Sequence, residues 1–66
     1  MPKNLNELAT MISERDGISL NEAKIAIDEV QQEMQDAFMS GSLDEVEDIL
    51  RLELGLEPDY LELFIW

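Results

Sequence analysis

Apolar residues recur at intervals of three and four along most of the chain, a spacing that puts them on one face of an α-helix. Three segments show it: Leu5, Leu8 and Ile12; then Ala23, Ile27, Val30, Met34 and Ala37/Phe38; then Leu43, Val46 and Ile49/Leu50. No segment alternates apolar and polar residues with the period of two that is typical of a strand. The pattern therefore predicts three amphipathic helices and no β-sheet.

Residues that begin and end helices stand at the boundaries of these segments. Three residues suited to helix N-caps are each followed three positions later by a glutamate, as in a capping box: Asn4, Ser19 and Ser42. Glycines that suit helix C-termini follow the same segments: Gly17, Gly41 and Gly55. Pro58 stands at the preferred first position of a further helix. We expect helices near residues 5–15, 20–40, 43–54 and 58–64.

The short connections between these helices favour antiparallel neighbours in one unit. We expect an all-α fold, a compact three-helix bundle with a short fourth C-terminal helix, as a single acidic helical domain over residues 1–66. The predicted core consists of apolar positions on the three long helices: Leu8, Ile12, Ile27, Val30, Met34, Phe38, Val46 and Leu50.

Large apolar side chains are concentrated at the C-terminus, where residues 56–66 hold three of the four aromatic residues. One interpretation is that this segment docks on the bundle and completes a small core. The other is a hydrophobic contact with a second copy or a partner through Phe64 and Trp66, because exposed aromatic residues are typical interface anchors. The pattern leaves both interpretations open.

The residue types present restrict the chemistry. The chain has neither histidine nor cysteine, which excludes the usual zinc sites and nucleophile–base triads. Its glycines stand alone, so no phosphate-binding loop is formed, and the acidic run of residues 44–48 lacks the glycine of an EF-hand loop. We expect a non-enzymatic binding protein with no catalytic residue, no cofactor and no metal site.

Neither secretion nor membrane insertion is predicted. The start of the chain lacks the basic and apolar regions of a signal peptide. The longest apolar run, residues 63–66, is far shorter than the roughly 20 residues that span a bilayer. We therefore expect a cytoplasmic protein without a membrane partner, with a monomer favoured and a homodimer as the alternative.

Acidic residues outnumber basic residues by 16 to 4, which gives a net charge of −12, beyond the magnitude of about 2–8 recommended for a small domain. Residues 1–24 carry four acidic and three basic residues, whereas residues 25–66 carry twelve acidic residues and only Arg51. Solubility, or a salt-adapted origin, is one explanation. The other is a basic partner whose lysines and arginines bind phosphates.

The predicted second and third helices carry the acidic residues at helical spacing, and on the second helix we expect them opposite the apolar face. The predicted partner-binding face comprises nine carboxylates: Glu22, Asp28, Glu29, Glu33, Asp36, Asp44, Glu45, Glu47 and Asp48. Carboxylates at such spacing lie about 5–6 Å apart, and duplex DNA presents a phosphate about every 3.4 Å on each strand. No basic residue between Ile25 and Leu50 compensates this charge. The pattern favours a protein that mimics nucleic acid and binds a basic nucleic-acid-binding protein. It does not predict direct binding to nucleic acid. The alternative is that these carboxylates form an ordinary solvated helix face.

The run Gly41-Ser-Leu-Asp-Glu-Val-Glu-Asp-Ile-Leu, followed by Gly55-Leu-Glu-Pro-Asp-Tyr-Leu-Glu, resembles the C-terminal half of short bacterial and phage helical proteins. This resemblance covers about residues 19–63 and implies a fold and a mobile-element context. In size, acidity, helicity and lack of cysteine the chain is also similar to anti-CRISPR proteins, in particular to the type I inhibitors that act on Cascade. That similarity implies an inhibitor of a DNA-binding surface in the host cytoplasm, but it carries no diagnostic motif.

The alternative function is a small assembly or regulatory module, antitoxin-like or a phage accessory protein. Such a module would bind through the hydrophobic C-terminus instead of the acidic face.

Overall fold

The computed structural model describes residues 2–64, which fold into three α-helices and a C-terminal 3₁₀-helix. The α-helices are α1 (Leu5–Asp16), α2 (Leu20–Met39) and α3 (Leu43–Leu54), and the 3₁₀-helix covers Pro58–Phe64. No strand occurs within residues 2–64. The predicted all-α three-helix bundle with a short fourth helix is confirmed, and the fourth helix has the tighter 3₁₀ geometry.

Side-chain caps form at two of the three predicted helix starts. The side chain of Asn4 accepts a hydrogen bond of 2.9 Å from the Glu7 amide, and Ser19 accepts one of 3.1 Å from the Glu22 amide. Ser42 makes no such bond, so the capping prediction is wrong there. Its backbone, at φ −103° and ψ 76°, differs from the extended conformation of Asn4 and Ser19, whose side chains do cap their helices.

Glycine ends α1 and α3 as the pattern predicts. Gly17 and Gly55 have φ of 69° and 65°, and their amides donate to carbonyl oxygens of the last helical turn at 3.0 and 2.9 Å. This left-handed conformation strains any residue with a Cβ atom, which explains glycine at both positions.

α2 lies at the centre of the bundle and packs against both α1 and α3. Leu5, at the start of α1, lies beside Ile27 and Gln31 of α2, so the two helices are antiparallel. The ends of α1 and α3 meet where Arg15 bonds to the carbonyl oxygen of Leu54. α1 and α3 therefore run in the same direction on two sides of α2.

The buried core draws on all four elements. Its members are Leu8, Ala9, Ile12, Ala23, Ile27, Val30, Met34, Ala37, Val46, Leu50, Leu54, Leu56 and Phe64. The predicted core residues are all among them except Phe38, which is 55% exposed.

The exposure of Phe38 follows from the unequal lengths of the helices. α1 has 12 residues and α2 has 20, which correspond to about 18 Å and about 30 Å. Because α1 begins beside Ile27 and Gln31, the last turns of α2 extend beyond it. Phe38 lies on those turns, while its neighbour Ala37 is buried.

The C-terminal 3₁₀-helix docks on the bundle. The Tyr60 hydroxyl lies 3.9 Å from the Met11 sulfur of α1, and the 3₁₀-helix also packs against α3. Phe64 is completely buried. Phe64 therefore belongs to the core of the single chain and not to an exposed contact surface, whereas Trp66 lies outside the described residues.

Candidate acidic interaction surface

The acidic row of α2 follows the edge of the helix that faces α3. Glu33 and Asp36 line a shallow groove between the two helices, together with Glu45 and the half-buried Ile49 of α3. Helical geometry puts this row about 100° from the buried face of α2. The expectation that the row lies opposite the apolar face is thus wrong, because α3 packs close to its edge.

Carboxylates from both helices meet along this groove. Glu33 and Asp36 of α2 and Glu45 of α3 line it, and Glu29 of α2 and Glu53 of α3 lie close enough to Glu33 for their charges to act on it. All five side chains are exposed, so a partner can reach them. These five residues are called the acidic groove below.

The acidic groove holds like charges close to one another. The pKa of Glu33 is raised, first by partial loss of hydration beside α3 and then by the charge of Glu53 and hydrogen bonding with it. The charge of Glu29 raises this pKa further. The ionised form of Glu33 is therefore less favourable in the folded protein than in a free glutamate side chain.

Basic side chains do not neutralise the acidic groove within residues 2–64. The ion pairs in this part of the chain join Arg15 to Asp16 at 2.8 Å and Arg51 to Asp48 at 3.0 Å. The hydrogen bond from Arg15 lowers the pKa of Asp16. Both paired aspartates lie outside the groove, so none of the five groove carboxylates takes part in an ion pair within residues 2–64.

The structure brings four of the nine predicted acidic residues into this groove and leaves five outside it. Asp28 lies between α1 and α2 beside Lys24. Asp44 and Asp48 line a second shallow depression at the start of α3. The partly buried Glu47, two residues from Glu45, points to the other side of α3. Glu22 lies on the first turn of α2, two turns from Glu29.

Glu53 is the groove residue that the sequence interpretation missed. It interacts with Glu33 across the two helices. Residues 45, 49 and 53 are spaced by four and share one edge of α3, so spacing alone associates Glu53 with Glu45. That edge becomes recognisable as part of a site only once α2 is known to lie beside it.

Residues 2–64 contain no group of three or more acidic side chains arranged to hold a metal ion. None of the helices described is both long and apolar enough to cross a membrane.

Comparison of the chain with protein-family models, with curated proteins and with solved structures found no match in any of the three.

Proposed function

We propose that this protein binds a basic nucleic-acid-binding protein through the acidic groove and occupies the site of its nucleic acid. The observation that carries the proposal is the set of five exposed carboxylates, drawn from two helices, without an ion-pair partner in residues 2–64. Like charges at this spacing destabilise the free protein. A partner rich in lysine and arginine relieves that repulsion. The repulsion that destabilises the free protein therefore favours formation of the complex.

The spacing of the groove supports replacement of phosphates. Carboxylates three or four residues apart on one helix are about 5–6 Å from each other, and packed helix axes are about 8–10 Å apart. The groove thus offers two neighbouring rows of negative charge. A channel lined with lysine and arginine for a phosphate backbone is complementary to such rows.

The specific form that we propose is an anti-CRISPR-type inhibitor that blocks the DNA-binding surface of a type I effector complex such as Cascade. Small size, high acidity and helicity support this form. In this proposal the protein acts as a monomer in the cytoplasm of the host cell, without catalysis and without a cofactor.

The alternative of an assembly or regulatory module that binds through its aromatic C-terminus is less well supported. Phe64 is buried in the bundle and would have to leave the core to contact a partner. Such a release would expose a cavity in a domain with few other large core residues, at a cost of several kcal/mol.

Capture of partners on the immobilised protein tests the proposal. Bacterial lysate is applied at low and high salt, and each captured protein is purified and titrated in the presence of its own DNA or RNA. We expect a nucleic-acid-binding protein that is released by salt, because screening weakens charge-driven contacts, and that is displaced by its nucleic acid. A partner that binds equally well with its nucleic-acid site saturated contradicts the proposal.

A further inference from the structure

An open depression lies between α1 and the C-terminal 3₁₀-helix, whereas the acidic groove lies between α2 and α3. Its volume is about 450 Å³, which is enough room for a small organic molecule. The residues that line it are Pro2, Glu7, Thr10, Met11, Glu14 and Tyr60. This site is called the α1 depression below.

Helical spacing puts two carboxylates at opposite ends of the α1 depression. Glu7 and Glu14 are seven residues apart, so they lie on one face of α1 and are separated by about 10 Å along its axis. Thr10 and Met11 lie between them on the same face. Glu7 accepts a hydrogen bond of 3.3 Å from the Lys3 amide. Both glutamates are exposed, and neither takes part in an ion pair within residues 2–64.

The middle of the α1 depression is apolar. Met11 and Tyr60 are both half-buried, and the Tyr60 hydroxyl donates to the Met11 sulfur at 3.9 Å, which joins α1 to the 3₁₀-helix. An aromatic ring attracts an ammonium group placed over its face, and a thioether is a polarizable apolar contact. The α1 depression thus combines an apolar middle with a negative charge at each end.

We propose that the α1 depression binds a linear polyamine, a chain of methylene groups with an ammonium group at each end. One ammonium group pairs with Glu7 and the other with Glu14, while the methylene chain packs on Met11 and Tyr60. The hydrogen bond between Tyr60 and Met11 stays in place, because the ligand needs only contact with the ring and the thioether. This inference goes beyond the proposed function and does not depend on it, because no residue of the acidic groove lines the α1 depression.

The geometry disfavours other cationic ligands. A single metal ion contacts its oxygen ligands at about 2–2.6 Å, so it cannot reach two carboxylates about 10 Å apart. A basic peptide would bring backbone groups that need hydrogen-bond partners. The hydroxyl groups of Thr10 and Tyr60 already donate to the Asn6 carbonyl oxygen and the Met11 sulfur. A methylene chain needs no such partner between its two charges.

Titration calorimetry with three amines at low salt tests the inference. α,ω-Diaminooctane carries an ammonium group at each end of a long chain, α,ω-diaminopropane carries the same charge on a short chain, and octylamine has one charge on a long chain. We expect diaminooctane to bind at least about tenfold more tightly than either of the others, because it alone reaches both carboxylates. Equal affinities for diaminooctane and diaminopropane overturn the inference, since binding then depends on charge alone.

Two double variants with the same net charge locate the binding. Glu7→Gln/Glu14→Gln should lose about tenfold or more in affinity for diaminooctane, and glutamine at position 7 can still accept the hydrogen bond from the Lys3 amide. The matched control Glu57→Gln/Glu62→Gln changes two exposed residues outside the α1 depression and should bind as the wild-type protein does. Circular dichroism verifies that both variants keep their helices. Equal losses in the two variants overturn the inference.

Amide chemical shifts of the ¹⁵N-labelled protein show where diaminooctane binds. We expect the largest changes at residues 7–14 and at Tyr60. Changes confined to the acidic groove overturn the inference, because the amine then binds as a general counterion. A trilysine peptide that shifts the same amides and binds more tightly than diaminooctane also overturns it, in favour of a basic peptide as the occupant.

Discussion

The guanidinium group of Arg15 donates a hydrogen bond of 2.7 Å to the carbonyl oxygen of Leu54. The same group donates to both carboxylate oxygens of Asp16 at 2.8 and 3.1 Å. Leu54 ends α3, and the last carbonyl groups of a helix lack donors within the helix. A cation at this position also suits the negative end of the helix dipole. One side chain thus joins the ends of α1 and α3.

Replacement of this arginine should weaken the fold. Arg15→Met should lower the free energy of unfolding by about 1–2 kcal/mol, because a hydrogen bond from a charged donor is lost at a partly exposed site. Lys24→Met removes the same charge from an exposed position on α2 and should have a smaller effect. Urea denaturation measures both. Equal losses would mean that Arg15 acts only through its charge.

The two phenylalanines should respond in opposite ways to truncation. Phe64 is completely buried and Phe38 is 55% exposed. Phe64→Ala should destabilise the protein by about 3–5 kcal/mol through loss of buried area and an unfilled cavity, a large share of the stability of a small domain. Phe38→Ala should cost less than about 1 kcal/mol. Thermal unfolding compares them, and similar melting temperatures would contradict the assignment of Phe64 to the core.

The carboxyl group of Glu33 should make stability depend on pH. Its pKa is raised above the ordinary value of 4.5 in the folded protein, so the folded state binds this proton more tightly than the unfolded state. The resulting stabilisation is present below the unfolded pKa and is lost as the pH rises through the folded pKa. Glu33→Gln should therefore raise the melting temperature at about pH 7, where the carboxylate is ionised, and give no gain below about pH 4.

Glu62→Gln is the control for this prediction, because Glu62 is exposed on the 3₁₀-helix, outside the acidic groove. It should raise the melting temperature less than Glu33→Gln at neutral pH. A gain from Glu33→Gln that is the same at both pH values would show that ionisation of Glu33 in the folded protein is not its cause.

The helices were predictable because their signals are local. Apolar periodicity, the Asn4 and Ser19 caps and the glycine stops all act within a few residues, and the observed bounds agree with them. The tighter pitch of the fourth helix was not predictable in this way. Pro58 suits the start of either kind of helix, since its fixed φ lies within both geometries.

The predictions that differ from the structure concern how far one helix extends along another and which edges of two helices face each other. Periodicity put Phe38 on the buried face of α2, but it does not tell how far α1 extends along that face. In the same way, it identified rows of carboxylates on two helices without showing which edges meet. Glu47 was therefore included in the predicted face although it points away from the groove, and Glu53 was overlooked although it lies beside Glu33.

We expect the location of the acidic groove, and not the total charge of the protein, to determine partner binding. Two triple variants with the same net charge separate these explanations, both with lysine substitutions at exposed positions. The groove variant changes Glu29, Glu33 and Asp36. The control variant changes Glu14, Asp59 and Glu62. Circular dichroism verifies that both remain helical.

The deciding measurement is the dissociation constant of each variant for the captured nucleic-acid-binding partner, taken at several salt concentrations. The groove variant should bind at least about 100-fold more weakly than the control variant, with a shallower dependence on salt because fewer ionic contacts form. The control variant should still compete with the partner's nucleic acid. Equal losses in the two variants, or wild-type affinity in the groove variant, would contradict the claim.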